Sequence, residues 1–230
     1  MWGGADKVPP SVLMPAAHFR RIPRSGLYSS IITVEADGGQ TGTGEAFGLP
    51  FSPATTALIG QLIAPALIGR EIDDLADCLA DLFNYFISMG HTRGFAIEAL
   101  GGIDIALWDL KARDAGKPLA SYLGGEIKPV PLYVSPIPFL DTTEESAERA
   151  RSFLRDGFNA IKVKVGRDVA RDVARTAAVR EAVEPDIDIM LDVNCGNDVG
   201  TAIAFARGLE KGGSRNLNNR DEWIFRATAA

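Results

Sequence analysis

With 230 residues, 46% of them apolar and 23% charged, the chain has the composition of a soluble globular protein with a sizeable core, not a disordered or fibrous one. Its net charge of −6, from 24 Lys+Arg against 30 Asp+Glu with no basic block, argues against nucleic-acid binding. No apolar run approaches the ~20 residues of a membrane span, and Met1–Asp6 opens no secretory signal. Two separated cysteines, Cys78 and Cys195, and two histidines, His18 and His91, exclude a disulfide framework and a multi-histidine metal site, and fit a reducing, cytoplasmic compartment.

Residues 1–27 are broken by Pro9, Pro10, Pro15 and Pro23, and His18-Phe19-Arg20-Arg21 reads as loop. Tyr28–Ala36 is rich in β-branched residues and ends at Asp37-Gly38-Gly39. Thr41–Phe47 follows, so a hairpin is expected. Beyond the irregular Leu49–Pro53 the period becomes helical, over Ala54–Leu67, Asp73–Ser88 and Gly94–Ala115. In the last of these, Ala96, Ala99, Leu100, Ile103, Leu107 and Leu110 recur at helical spacing, and Gly116-Lys117-Pro118 stops the helix. Trp108 on it reads as core packing, and Asp104 and Asp109 as structural.

From Lys128 the rhythm changes. Val130–Ser135 reads as a short strand. Thr142–Asp156 reads as an amphipathic helix with Thr142 or Thr143 as N-cap and Gly157 past its end. Phe158–Val165 and Ile187–Asn194 read as strands, each followed by a helix, Asp168–Val183 and Asp198–Lys211. Three consecutive β-then-α units are the mark of a parallel sheet. A boundary falls near residue 127, and residues 212–230 form a polar, Asn-rich tail with an apolar island at Trp223-Ile224-Phe225.

The chemistry is expected at two strand ends. Lys162 and Lys164, two apart, share one side of a strand, with Ile161, Val163 and Val165 on the other. Asp192 and Asn194 likewise share one side of the next. Parallel sheets seldom leave a face wet, so polar residues at carboxyl ends of strands read as a site. A solvated face of antiparallel strands is the bland alternative. Two desolvated ammonium groups lower each other's pKa and make one a usable general base, and a carboxylate beside them suits a hard cation.

The run Ala99-Leu-Gly-Gly-Ile-Asp104-Ile-Ala-Leu-Trp108-Asp109-Leu-Lys-Ala-Arg113 leads into Gly116-Lys117-Pro118-Leu119 and Leu123-Gly124-Gly125. Together with Gly42-Thr43-Gly44-Glu45, Lys162-Val163-Lys164 and Asp192-Val193-Asn194, it resembles the mandelate racemase/muconate lactonizing enzyme family of the enolase superfamily. The resemblance covers roughly residues 26–211. It implies an α+β capping domain, 1–127, followed by a partial (β/α) barrel with three βα units, 128–211, and a non-family tail, 212–230. It implies a Mg2+-dependent lyase or isomerase that removes the proton α to the carboxylate of a small substrate such as an acid sugar. Lys164 would be the base, and Lys162 would neutralise the substrate carboxylate and depress the pKa of Lys164. Asp192 would be a metal ligand, and Asn194 would lie by metal or substrate. His18 and Arg20, in a segment matching the family's cap loops, become substrate-binding candidates, although on the residues alone His18 reads as an exposed loop histidine.

A complete barrel of this kind needs about 250 residues, so three units leave it unfinished, and the family's further carboxylates have no counterpart after Lys211. Glu222 reads as a solvated tail residue. An uncovered apolar edge at Ile187–Asn194 suggests self-association, and the family's symmetric assemblies suggest a homo-oligomer. Three readings follow: a dehydratase, racemase or cycloisomerase, incomplete in this chain; a non-catalytic remnant acting by association; or an unrelated small-molecule binding module.

Overall fold

The expected hairpin is present in the computed structural model, which describes residues 28–48, 51–194 and 196–211. Strands β1 (Ser29–Glu35) and β2 (Thr41–Phe47) pair antiparallel, with Ile32 opposite Gly44. Their turn closes through Gly39 N–H to the Ala36 carbonyl, 2.8 Å, with Gly39 in the left-handed region that glycine enters without strain.

Helices α1 (Ser52–Leu58) and α2 (Ala64–Leu67) follow, joined by a π-helical turn at Ile59–Ile63. The sequence pattern had suggested one continuous helix over 54–67. Pro65 explains the difference, because it has no N–H for the preceding turn and sits comfortably only in the first turn of a new helical segment. Helix α3 (Leu75–Ser88) precedes the long α4 (Phe95–Asp114). Gly116, with positive φ, ends α4 while Lys117 N–H reaches the Ala112 carbonyl at 2.9 Å.

The core of this part forms where α4 meets the hairpin, with Ile32, Ala46, Ile63, Phe86, Ile103 and Ala106 buried. The approach is backbone to backbone. A Cβ on Gly44 would lie 2.1 Å from the Gly102 carbonyl oxygen, and one on Gly42 would lie 2.1 Å from that of Ala106. Asp109 locks the register by accepting from Thr43 N–H at 2.9 Å and pairing with Arg113 at 2.8 Å. The Thr43 N–H bond is the main reason its carboxyl lies below the usual range. Trp108 departs from expectation: it is 40% exposed and stands edge-on to Tyr122 of the one-turn helix α5 (Leu119–Tyr122), centroids 6.1 Å apart. The buried positions of α4 lie on its other sides, so the default expectation that an aromatic is buried fails for Trp108.

Contacts divide the chain into two units at Pro129–Val130. In the second unit β3 (Val134–Ile137), β4 (Ala160–Lys164) and β5 (Asp188–Asp192) form a parallel sheet in that order. The antiparallel alternative therefore falls. Strand β3 begins four residues later than the pattern suggested. Pro129 and Pro131 bring no N–H to a ladder, Val130 and Leu132 are exposed, and pairing starts only at Val134 with Ile161.

Helices α6 (Thr143–Arg155), α7 (Val169–Ala182) and α8 (Val199–Lys211) follow the three strands in turn. Thr142 makes a complete capping box with Glu145, and Gly157 ends the same helix with positive φ. Asp168 caps α7 through the Arg171 N–H. Ile161, Val163 and Val165 point into the core with Phe153, Val179 and Phe205, all at or near full burial. Strand alternation therefore turns Lys162 and Lys164 to the opposite face of the sheet.

Candidate active site

Lys164 stands directly opposite Asp192 across the β4–β5 ladder, and Lys162 opposite Met190. Both lysine side chains are held largely out of solvent, at 18% exposure for Lys162 and 11% for Lys164. Lys164 Nζ donates to Asp192 Oδ2 at 2.6 Å and also to Asn194 Oδ1. Lys162 Nζ lies 3.7 Å from the same Asp192 oxygen.

Asn194 is not on the strand, as the alternation pattern had placed it. Strand β5 ends at Asp192, and Asn194 turns into the left-handed region, φ 47°, which asparagine tolerates better than most residues. The turn nevertheless keeps it in the cluster. Its N–H donates to Asp192 Oδ1 at 2.9 Å, so both carboxylate oxygens are engaged from within the site. Burial pushes the Asp192 carboxyl upward, but the bond and charge of Lys164, the Asn194 N–H and the charge of Lys162 outweigh it and hold Asp192 below the usual range.

Tyr133 joins the cluster, which the sequence reading missed. Its hydroxyl accepts from Lys162 Nζ at 3.3 Å, and the ammonium sits 5.0 Å from the ring centroid. The signal that would have found it is an aromatic residue at the entry to the strand beside the lysine pair. Four of the six residues proposed from sequence, Lys162, Lys164, Asp192 and Asn194, are thus brought together. His18 and Arg20 lie outside the described residues, as do Cys195 and Glu222. His91 is elsewhere: its N–H closes the end of α3 on the Phe86 carbonyl, 2.8 Å, and its ring meets the edge of Phe86.

Chemically, two ammonium groups face one carboxylate in a half-desolvated corner, which leaves a positive excess suited to an anion. As a metal centre the described residues fall short. They contain no group of three His, Cys, Asp or Glu side chains able to hold an ion, and both Asp192 oxygens are already taken. Magnesium requires near-octahedral oxygen coordination, which one carboxylate does not supply.

An α+β unit, followed by parallel βα units with lysines and an aspartate at adjacent strand ends, is the architecture of the enolase superfamily, as part of a (β/α) barrel. Residues 24–124 match the mandelate racemase/muconate lactonizing enzyme N-terminal domain, and residues 145–215 match the enolase C-terminal domain-like model. The chain belongs to the mandelate racemase/muconate lactonizing enzyme family. A D-galactonate dehydratase family member of a Paenibacillus species is 32% identical over 149 residues, 64% of this chain and 35% of that protein. The D-galactarolactone cycloisomerase of Agrobacterium fabrum is 34% identical over 140 residues, 59% of this chain and 36% of the relative. The crystal structure of a Streptomyces coelicolor racemase with bound magnesium superposes with a TM-score of 0.73 at 29% identity, covering 81% of this chain and 59% of that one. The chain thus spans about a third of the length of these curated relatives. Among the described residues no helix is long and apolar enough to cross a membrane.

Proposed function

We propose that this chain carries the proton-abstracting half of an enolase-superfamily lyase or isomerase acting on a small carboxylate, an acid sugar or its lactone. The observation that carries the reading is the Lys162–Lys164–Asp192–Asn194 cluster on one face of the parallel sheet. Residues 1–127 act as the capping domain and 128–211 as the catalytic portion, with 212–230 outside both.

In this reading the substrate carboxylate pairs with the Lys162 ammonium, which Tyr133 steadies. Lys164 Nζ, unprotonated for the step, accepts the α-proton. The C–H bond breaks and its electron pair moves into the carboxylate to give an enediolate, whose added negative charge faces the Lys162 ammonium. Asn194 and Asp192 orient Lys164 through the bonds they accept from it. The named activities of the dehydratase and cycloisomerase relatives both fit a path that starts with loss of a proton next to a carboxyl or lactone carbonyl.

Magnesium is supported by the bound ion of the Streptomyces coelicolor racemase and by the oxygen chemistry of Asp192. The described residues do not complete a site for it. A cytoplasmic location and a homo-oligomeric state belong to the same proposal. A second reading, binding without turnover, is favoured by that single carboxylate.

The test is α-proton exchange. The chain is incubated in D2O with Mg2+ and a panel of aldonates, aldarates and their lactones, beside Lys164→Ala. Deuterium incorporation by NMR that disappears in Lys164→Ala is the expected outcome. Line broadening of a ligand without exchange, from a folded sample, favours the second reading, and neither signal rejects both.

A further inference from the structure

Arg175 is a buried cation on the inner side of α7, only 8% exposed, at a position where an apolar residue would pack beside Val179. Burying a guanidinium is costly, and replacing such groups with apolar ones is often neutral or stabilising, so its presence is better explained by geometry than by stability. Among the described residues its hydrogen bonds run to backbone carbonyls. Nη1 donates to the Lys164 carbonyl at 3.0 Å and to that of Pro138 at 3.2 Å, and Nη2 to Leu140 at 3.4 Å.

These acceptors share one location. The β3–β4 ladder ends at Ile137 with Val163, so the carbonyls of Pro138 and Lys164 lie just past the last paired residues of neighbouring strands. A single rigid fork joins them where the β3–β4 ladder stops, while on its β5 side Lys164 remains paired with Asp192. Phe139, between two of the bonded carbonyls, lies under the guanidinium at 4.9 Å, and Arg167 from the loop after β4 stacks on the same ring at 3.9 Å. One turn earlier on α7, Asp172 Oδ2 accepts from the N–H groups of Gly166, Arg167 and Asp168 at 2.8, 2.9 and 3.2 Å. Two side chains of α7 therefore hold both the last residue of β4 and the loop that follows it.

We propose that Arg175 is a positioning residue that fixes the backbone of Lys164, and with it the placement of the Lys164 ammonium against Asp192 and Asn194. The inference rests on Lys164 as the reactive base. Its test needs no turnover, so it can fail while proton exchange is found, or hold while exchange is absent.

Arg175→Met and Arg175→Lys are made in the full chain. Lysines are acylated briefly with an N-hydroxysuccinimide ester, and the ratio of Lys164 to Lys162 labelling is read by mass spectrometry. Both lysines share strand β4, so general loosening raises them together and leaves the ratio unchanged. Loss of the fork frees Lys164 selectively. The ratio is expected to rise about tenfold in Arg175→Met, the lower end of the scale of one lost charged hydrogen bond, and about twofold in Arg175→Lys, which retains a donor. An unchanged ratio in both folded variants overturns the proposal. If Arg175→Met does not fold, the Arg175→Lys ratio decides alone: a rise supports the proposal and no change overturns it.

Discussion

The two units solve the problem of close packing in opposite ways. In the first, the hairpin and α4 touch through Gly42, Gly44 and Gly102, and side chains are absent where the elements come nearest. In the second, strands and helices meet through large apolar side chains such as Phe153, Ile161 and Phe205, and the polar side chains of the strands, Lys162, Lys164 and Asp192, stand on the far face of the sheet. The contrast teaches where each unit tolerates change. A backbone contact forbids added atoms, whereas a side-chain contact forbids their removal.

Deletion in the second unit should have the largest effect. Phe205→Ala, at a position 2% exposed, is expected to cost about 3–5 kcal/mol. Amide exchange should quicken in β4, β5 and α8, and slow exchange there in the variant would break the comparison. Addition in the first unit comes next. Gly44→Ala places a methyl group 2.1 Å from a carbonyl oxygen that cannot move without shifting α4, at a cost of about 1–3 kcal/mol. Thermal melting and faster exchange in β1, β2 and α4 are the readouts, and a neutral Gly44→Ala would show that the approach is looser than drawn.

The smallest effect concerns pH. Asp192 has its carboxyl held below the ordinary value, so its contribution to stability is present above the unfolded pKa, about 3.9, and is lost as pH falls through the lower folded value. Asp192→Asn should therefore be less stable than the parent near neutrality, and the gap should narrow in acid. Melting curves from pH 7 down to pH 3 check the sign. A gap that widens on acidification would mean that Asp192 is not stabilised as a carboxylate.

Much of this was legible in the residues because it rests on local rules. The threonine cap of α6, the glycines after α4 and α6, and the alternation that sets Lys162 and Lys164 against Ile161, Val163 and Val165 all depend on near neighbours in sequence. The misses have mixed causes, some local and some from distant partners. Trp108 stands off the apolar positions at helical spacing on α4, and its size alone argued for burial, whereas it is 40% exposed. Strand β3 starts where Ile161 offers a ladder partner, and the π-helical turn answers Pro65. Within the site, Asn194 was placed in the right company for the wrong reason: a left-handed turn, not strand alternation, brings it to Lys164. Tyr133 and Arg175 act across 29 and 11 residues of sequence, a separation at which no spacing rule operates.

The Asp172 carboxylate has one further consequence. Three consecutive N–H groups converging after a strand make a concave cradle of the kind that captures phosphate in other proteins. Here the cradle is filled by the chain's own Asp172 carboxylate, so its three N–H groups are spent on holding the loop after β4. The loop after β4 is thereby tethered by its own helix, and among the described residues the pull on an outside anion comes from the lysine face.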